Sequence, residues 1–202
     1  MNGKIKLFNA ALACGLVFSM LLCLAGFDNN CQSLRDNVFR LHIIANSDSP
    51  RDQEIKLAVR DALLRESETF FLGDSSLEDA VLSAECNKDA IKAVAEDVLR
   101  QYGAEYSLEV SVEDSFFDTR VYDEYTLPAG TYRSLLIKIG KAEGKNWWCV
   151  LFPSICVGAC ASLSETAGEG GAEIAGNAQR YVVRFKIVEI YERIKTKIFE
   201  LL

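Results

Sequence analysis

The sequence predicts a single α+β domain behind an apolar N-terminal segment. Three observations carry that expectation: a run from Leu7 to Phe27 with almost no polar side chain, a helix-patterned first half, and strict alternation after Tyr106. The expected order is an N-terminal strand and helices, then a mostly antiparallel sheet, then a C-terminal amphipathic helix.

The first element is the apolar run. Its only polar side-chain groups are Asn9, Ser19 and the thiols of Cys14 and Cys23, and Lys4 and Lys6 precede it. A basic flank followed by an apolar core is the pattern of a secretory leader or of an uncleaved signal anchor. The length of the run suits an anchor, since about 20 apolar residues span a bilayer. Small residues at Cys23 and Ala25 suit cleavage after Ala25, and both readings stay open. Leu22 before Cys23 argues against a lipoprotein signal. Residues 1–27 are therefore assigned to a signal peptide or anchor, and 28–202 to an extracytoplasmic domain.

Val38 to Ala45 is a β-branched and apolar run, expected as a strand. Asn46-Ser47-Asp48-Ser49-Pro50 then supplies turn and cap chemistry, with Ser49 as N-cap, Pro50 at the first helical position and Asp52 completing a capping box. The helix that follows, about 50–68, lines up Ile55, Val59, Ala62 and Leu63. After the break at Gly73 to Ser76 a short helix is expected around 77–85. Asn87 can cap another that carries Ile91, Val94, Ala95, Val98, Leu99 and Tyr102, and Gly103 can end it in a left-handed conformation.

Tyr106, Leu108, Val110 and Val112 alternate with Ser107, Glu109, Ser111 and Glu113, the signature of a half-buried strand. Further strands are expected near 118–125, 130–139 and 146–152, the last two joined as a hairpin through Gly140 to Lys145. Residues 158–178, rich in Gly, Ala, Ser and Glu, read as a flexible insertion. Tyr181 to Phe185 reads as a strand. The closing helix carries Ile187, Ile190, Tyr191, Ile194, Ile198, Leu201 and Leu202 as an apolar stripe, expected to pack on the sheet.

Charge narrows the function. The formal net charge is −7 with a pI near 4.9, and the first 25 residues contribute two lysines and no acid, so the domain behind them is more acidic still. Such a field repels phosphate, which argues against nucleic-acid binding, and does not hold the domain to an anionic lipid surface. Five of the seven cysteines follow the apolar run: Cys31, Cys86, Cys149, Cys156 and Cys160. Cys149 with Cys156 is the candidate disulfide and Cys149 with Cys160 the alternative, both by proximity in sequence. No zinc knuckle is present, and no metal or cofactor is expected.

Catalytic constellations are sparse. His42 is the only histidine and sits inside an apolar strand, and no nucleophile elbow, zinc helix or phosphate loop accompanies it. A hydrolase acting on cell wall would have to use His42 with Ser47 or Asp48. Two segments are unusual: His42 to Gln53, whose Asn46, Ser47 and Asp48 crowd polar groups at a helix N-terminus, and Asn146 to Pro153, whose adjacent Trp147 and Trp148 must face opposite sides of a strand. His42, Asn46, Ser47, Asp48, Trp147 and Trp148 are the candidate partner-binding residues.

These segments also carry a resemblance. Arg40-Leu41-His42-Ile43-Ile44-Ala45-Asn46-Ser47-Asp48-Ser49-Pro50, with Asp52-Gln53 and Lys56 to Ala62, resembles the opening motif of the stage II sporulation protein R family. Pro128-Ala129-Gly130-Thr131-Tyr132 and Asn146 to Pro153 resemble its second and third motifs, and Val183 to Glu189 its C-terminal one. The resemblance implies an endospore-forming bacterium and a signalling role without catalysis. Members of the family are exported from the forespore into the space between two membranes, where they trigger a membrane-embedded aspartyl protease of the mother cell. That protease processes a sigma-factor precursor.

Overall fold

The computed structural model describes residues 2–71, 73, 76–122, 126–152 and 178–200. It is an α+β fold with one mixed four-stranded sheet.

Helix α1 (Asn2–Arg35) contains the whole apolar run and continues past residue 27 without a break. Ile5–Arg35 is long and apolar enough to cross a membrane, compatible with a signal anchor. Leu7, Phe8, Leu12, Leu16, Phe18 and Leu22 are exposed, whereas Phe27, Cys31, Leu34 and Arg35, spaced along one helical face, are buried. The helix therefore belongs to the apolar segment at one end and to the folded body at the other.

Strand β1 (Phe39–Ile44) leads into α2 (Pro50–Phe70), with Pro50 in the first turn and Ser49 Oγ accepting from the Asp52 N–H at 3.1 Å. The capping box is only half made, because the Asp52 carboxylate turns to other donors described below. Helix α3 (Leu77–Cys86) is capped by Ser76, and α4 (Lys88–Gln101) follows directly. Asn87 does not cap α4 through its side chain, as expected from sequence; its Nδ2 donates instead to the Phe70 carbonyl at 3.0 Å, closing the end of α2. Gly103 takes the left-handed conformation expected of it, with φ 60°.

Strands β2 (Leu108–Phe117), β5 (Gly130–Ile139) and β6 (Asn146–Phe152) join β1 in the order β2-β5-β1-β6. Within the region expected as a strand near 118–125, the two-residue β3 (Arg120–Val121) forms, and it pairs with β4 (Thr126–Leu127) just beyond that region. Two of the three pairings in the main sheet are antiparallel, and β1 runs parallel to β5. The expected β5–β6 hairpin does not form, because β1 lies between them, with Leu41 opposite Leu135 on one side and Cys149 on the other. A strand buried or half-buried on both faces suits a central position, and the parallel pairing becomes possible because α2 to α4 lie in the crossover. Leu41, Ile43, Ile55, Val59, Ile91 and Ile137 are fully buried between these helices and the sheet, each contributing roughly 1.5–3 kcal/mol.

The last helix, α5 (Ala178–Glu200), includes the residues expected as a strand at 181–185. A helix satisfies its own backbone hydrogen bonds without pairing to a sheet edge. Phe185 meets the Phe27 ring of α1 at 5.3 Å between centroids. The apolar stripe also differs from expectation. Phe185, Val188, Glu189 and Glu192 are the buried side, while Ile190, Tyr191, Ile194 and Ile198 are each more than half exposed. Arg35 decides this orientation: its buried guanidinium lies 3.5 Å from Glu192 and 3.2 Å from Asp28, which draws the acidic face of α5 inward. The expected insertion at 158–178 lies outside the described residues except for Ala178.

Candidate functional site

The polar residues after β1 form a closed network. Asp52 is buried and accepts from Ser47 Oγ at 2.5 Å, Asn46 Nδ2 at 2.9 Å and Tyr106 OH at 2.9 Å. These donors, Ser47 first, hold its carboxyl at about 2, below the ordinary value, despite burial. The anion suited to the start of α2 is thus the protein's own carboxylate. Asn46 Oδ1 accepts from the Lys141 N–H and Asp48 Oδ1 from the Lys145 N–H, so the same residues pin the loop between β5 and β6. Lys56 Nζ secures it by donating to the Lys145 carbonyl at 2.9 Å. A Cβ on Gly140 would run into the Asn46 side chain, and one on Gly144 into the Ser47 carbonyl. Asn46, Ser47 and Asp48 have internal partners that build the end of the sheet.

His42 sits on the sheet face away from α2 to α4, directly opposite Trp148 in the β1–β6 ladder, with ring centroids 6.0 Å apart. Burial holds its imidazole below the ordinary value, the nearby Asn146 side chain working against the shift and the charge of Arg40 adding to it. Neither ring nitrogen makes a hydrogen bond of normal geometry. Ser47 and Asp48 are not brought to it: Ser47 Oγ is spent on Asp52 and Asp48 on the 140–145 loop. A His42–Ser47 or His42–Asp48 pair is not assembled.

The two tryptophans face opposite ways and each is half-buried under an arginine. Arg60 of α2 lies 4.3 Å from the Trp147 ring centroid on the helix side; Arg120 of β3 lies 3.9 Å from that of Trp148 on the other side. Beside Trp148 on that second face lies Arg40, fully buried and stacked 4.0 Å from the Phe117 ring and 4.9 Å from that of Tyr132. One of its nitrogens donates to Tyr122 OH at 2.8 Å, while Nε and Nη1 have no hydrogen-bond partner among the described residues. This face therefore packs aromatic rings and guanidinium groups around a histidine; Arg40, Phe117 and Tyr132 lie in the interior, and the exposed Arg120 with the half-buried Trp148 are the members able to meet a protein surface. Among the described residues no cluster of three or more His, Cys, Asp or Glu side chains could hold a metal. Cys149 is disulfide-bonded, and Cys14, Cys23, Cys31 and Cys86 carry free thiols; Cys156 lies outside the described residues.

The segments singled out in the sequence converge here. His42, Ile43 and Ile44 pair across the ladder with Trp148, Trp147 and Asn146. The Pro128 to Tyr132 segment seats Arg35, which donates to the Ala129 carbonyl at 3.1 Å and lies against Gly130, a residue with φ 147° where a Cβ would strike the arginine. The sequence matches Stage II sporulation protein R (spore_II_R) over residues 35–162. The chain belongs to the stage II sporulation protein R family. Membership gives it a role in sporulation. It is 38% identical over 129 residues to Stage II sporulation protein R of Bacillus subtilis (strain 168), an alignment covering 64% of this chain and 58% of that protein. The chain thus matches less than two thirds of the length of its curated relative. No solved structure matches it.

The family match begins at Arg35, at the end of α1, and stops before Val183 to Glu189. It therefore contains the whole sheet and the Trp148 face. Arg35, Arg40 and Arg120 were not among the candidates drawn from sequence. The signal available was a charged residue at an inward position of an apolar strand, as Arg40 is between Phe39 and Leu41.

Proposed function

We propose that the protein is an exported sporulation signal that triggers a membrane-embedded aspartyl protease of the mother cell to process a sigma-factor precursor. The observation that carries this reading is the Trp148 face. Three segments that resemble the family's motifs meet on adjacent strands, around a cluster of aromatic rings and guanidinium groups that the exposed Arg120 and the half-buried Trp148 carry to the surface. The apolar α1 supports the exported location by providing a leader or anchor. Physically, the protein acts as a ligand whose affinity for the active form of the protease exceeds that for the resting form, since equal affinity would shift no population. His42, Trp148 and Arg120 are the contact residues on this reading.

The test is to keep the domain inside the forespore. Removing residues 2–26 takes away the apolar segment while sparing the buried Phe27. Precursor processing in the mother cell is expected to cease, and processing at the normal level would contradict the proposal.

A further inference from the structure

Helix α5 is amphipathic but turned the wrong way round for packing. Its acidic residues Glu189 and Glu192 are buried beside Phe185 and Val188, and Ile190, Tyr191, Ile194 and Ile198 project outward, each 52–54% exposed. Ile190, Ile194 and Ile198 repeat every fourth residue, so with Tyr191 they form one continuous ridge. At 100° per residue, Lys186, Arg193 and Lys197 border this ridge on one side, and Arg184 and Lys195 on the other. Six Lys or Arg and three Glu lie between Ala178 and Glu200, a local positive excess in a chain whose net charge is −7.

Three occupants could cover such a ridge, and the geometry distinguishes them. Phe185 lies against Phe27 and Glu192 against Arg35, so α5 runs beside α1 in the same direction. A helix bound to a bilayer surface lies in its plane, whereas this ridge runs along the axis of the helix able to cross the membrane. A second copy of the chain would bring one basic border against another, which costs binding energy. An apolar groove or helix flanked by carboxylates satisfies both the ridge and its borders. The ridge also joins the Trp148 face: Arg193 pairs at 2.8 Å with Asp118, two residues before Arg120.

The geometry points to the α5 ridge as a second docking surface, which binds an acid-flanked apolar groove or helix on the receptor as α5 stands beside α1. This rests on the proposed function for the identity of the receptor. The ridge supplies the anchors, and Lys197, with Lys195 that also reaches its own Glu192 at 3.5 Å, selects an acidic partner.

The experiment uses the full chain in sporulating cells, with a photo-crosslinking amino acid at position 194, and follows precursor processing in parallel. The expected product is a crosslink to the protease. Ile190→Glu with Ile194→Glu should lower processing by about tenfold or more, as for loss of two anchors. Lys195→Glu with Lys197→Glu should lower processing while leaving the fold intact by circular dichroism. A crosslink only to lipid or to a second copy, or normal processing by the Ile190→Glu, Ile194→Glu chain, overturns the ridge. Failure of the unsubstituted chain to support processing overturns the proposed function itself, so the two failures are distinct.

Discussion

Arg120 stacks its guanidinium on the ring of Trp148, 3.9 Å from the centroid, so a side chain from the two-residue strand β3 covers a tryptophan of the main sheet. The pair stands on the face that the helices α2 to α4 leave to other elements. Arg120 is itself exposed, and the stack is worth about 0.5–1 kcal/mol at such a site. Arg120→Ala should therefore lower the melting temperature only slightly and red-shift Trp148 fluorescence, yet reduce precursor processing clearly. Full processing by both Arg120→Ala and Trp148→Ala would remove this face from the contact surface.

Arg40 is a buried cation with two nitrogens unpartnered among the described residues, offset by its stacking on Phe117 and Tyr132. Each unsatisfied buried group costs about 1–3 kcal/mol, against up to about 2 kcal/mol for a desolvated cation over rings. Arg40→Met fills the volume without the charge, so it should be neutral or stabilising in urea unfolding. A loss above about 2 kcal/mol would show that the stacking dominates instead.

Asp52 links three donors from two places in the chain, the adjacent Asn46 and Ser47 and the distant Tyr106. Asp52→Asn reverses one oxygen into a donor facing donors and should cost about 2–4 kcal/mol. The wild-type carboxyl ionises at about 2, below its ordinary 3.8. Its contribution is present above pH 3.8 and is lost as pH falls toward 2. Urea midpoints measured down this window should fall more steeply for the wild type than for Asp52→Asn, and parallel curves would refute the network's role.

His42 titrates in a separate window. Burial lowers its value, so the unfolded chain takes up the proton first as pH falls below 6.5, and stability declines until the folded imidazole is protonated too. His42→Gln should abolish this step below pH 6.5. As the only histidine in the chain, its NMR titration is unambiguous; a midpoint at or above 6.5 would contradict the burial.

Local chemistry was legible in the sequence, and long-range placement was not. Ser49 and Pro50 announced the start of α2, and the Tyr106 to Val112 alternation announced β2, because both signals reside in adjacent residues. The position of β1 between β5 and β6 depends on pairing Leu41 with Leu135 and Cys149, contacts about a hundred residues apart that no local pattern encodes. The outward stripe of α5 failed for a related reason. Its periodicity was correct, but Arg35, more than 150 residues earlier, sets which face turns inward. At the site, His42 and the tryptophans were visible as unusual residues. Arg120 was not, because only the β3–β4 fold brings it over Trp148.

The central claim is signalling across a membrane, and reconstitution tests it most directly. The protease and the sigma-factor precursor would be placed in vesicles, with the full-length protein supplied either on the face opposite the precursor or on the same face, and precursor cleavage measured. Cleavage only when the protein is opposite the precursor is the predicted result. Equal cleavage from either face, or cleavage without the protein, would contradict the account.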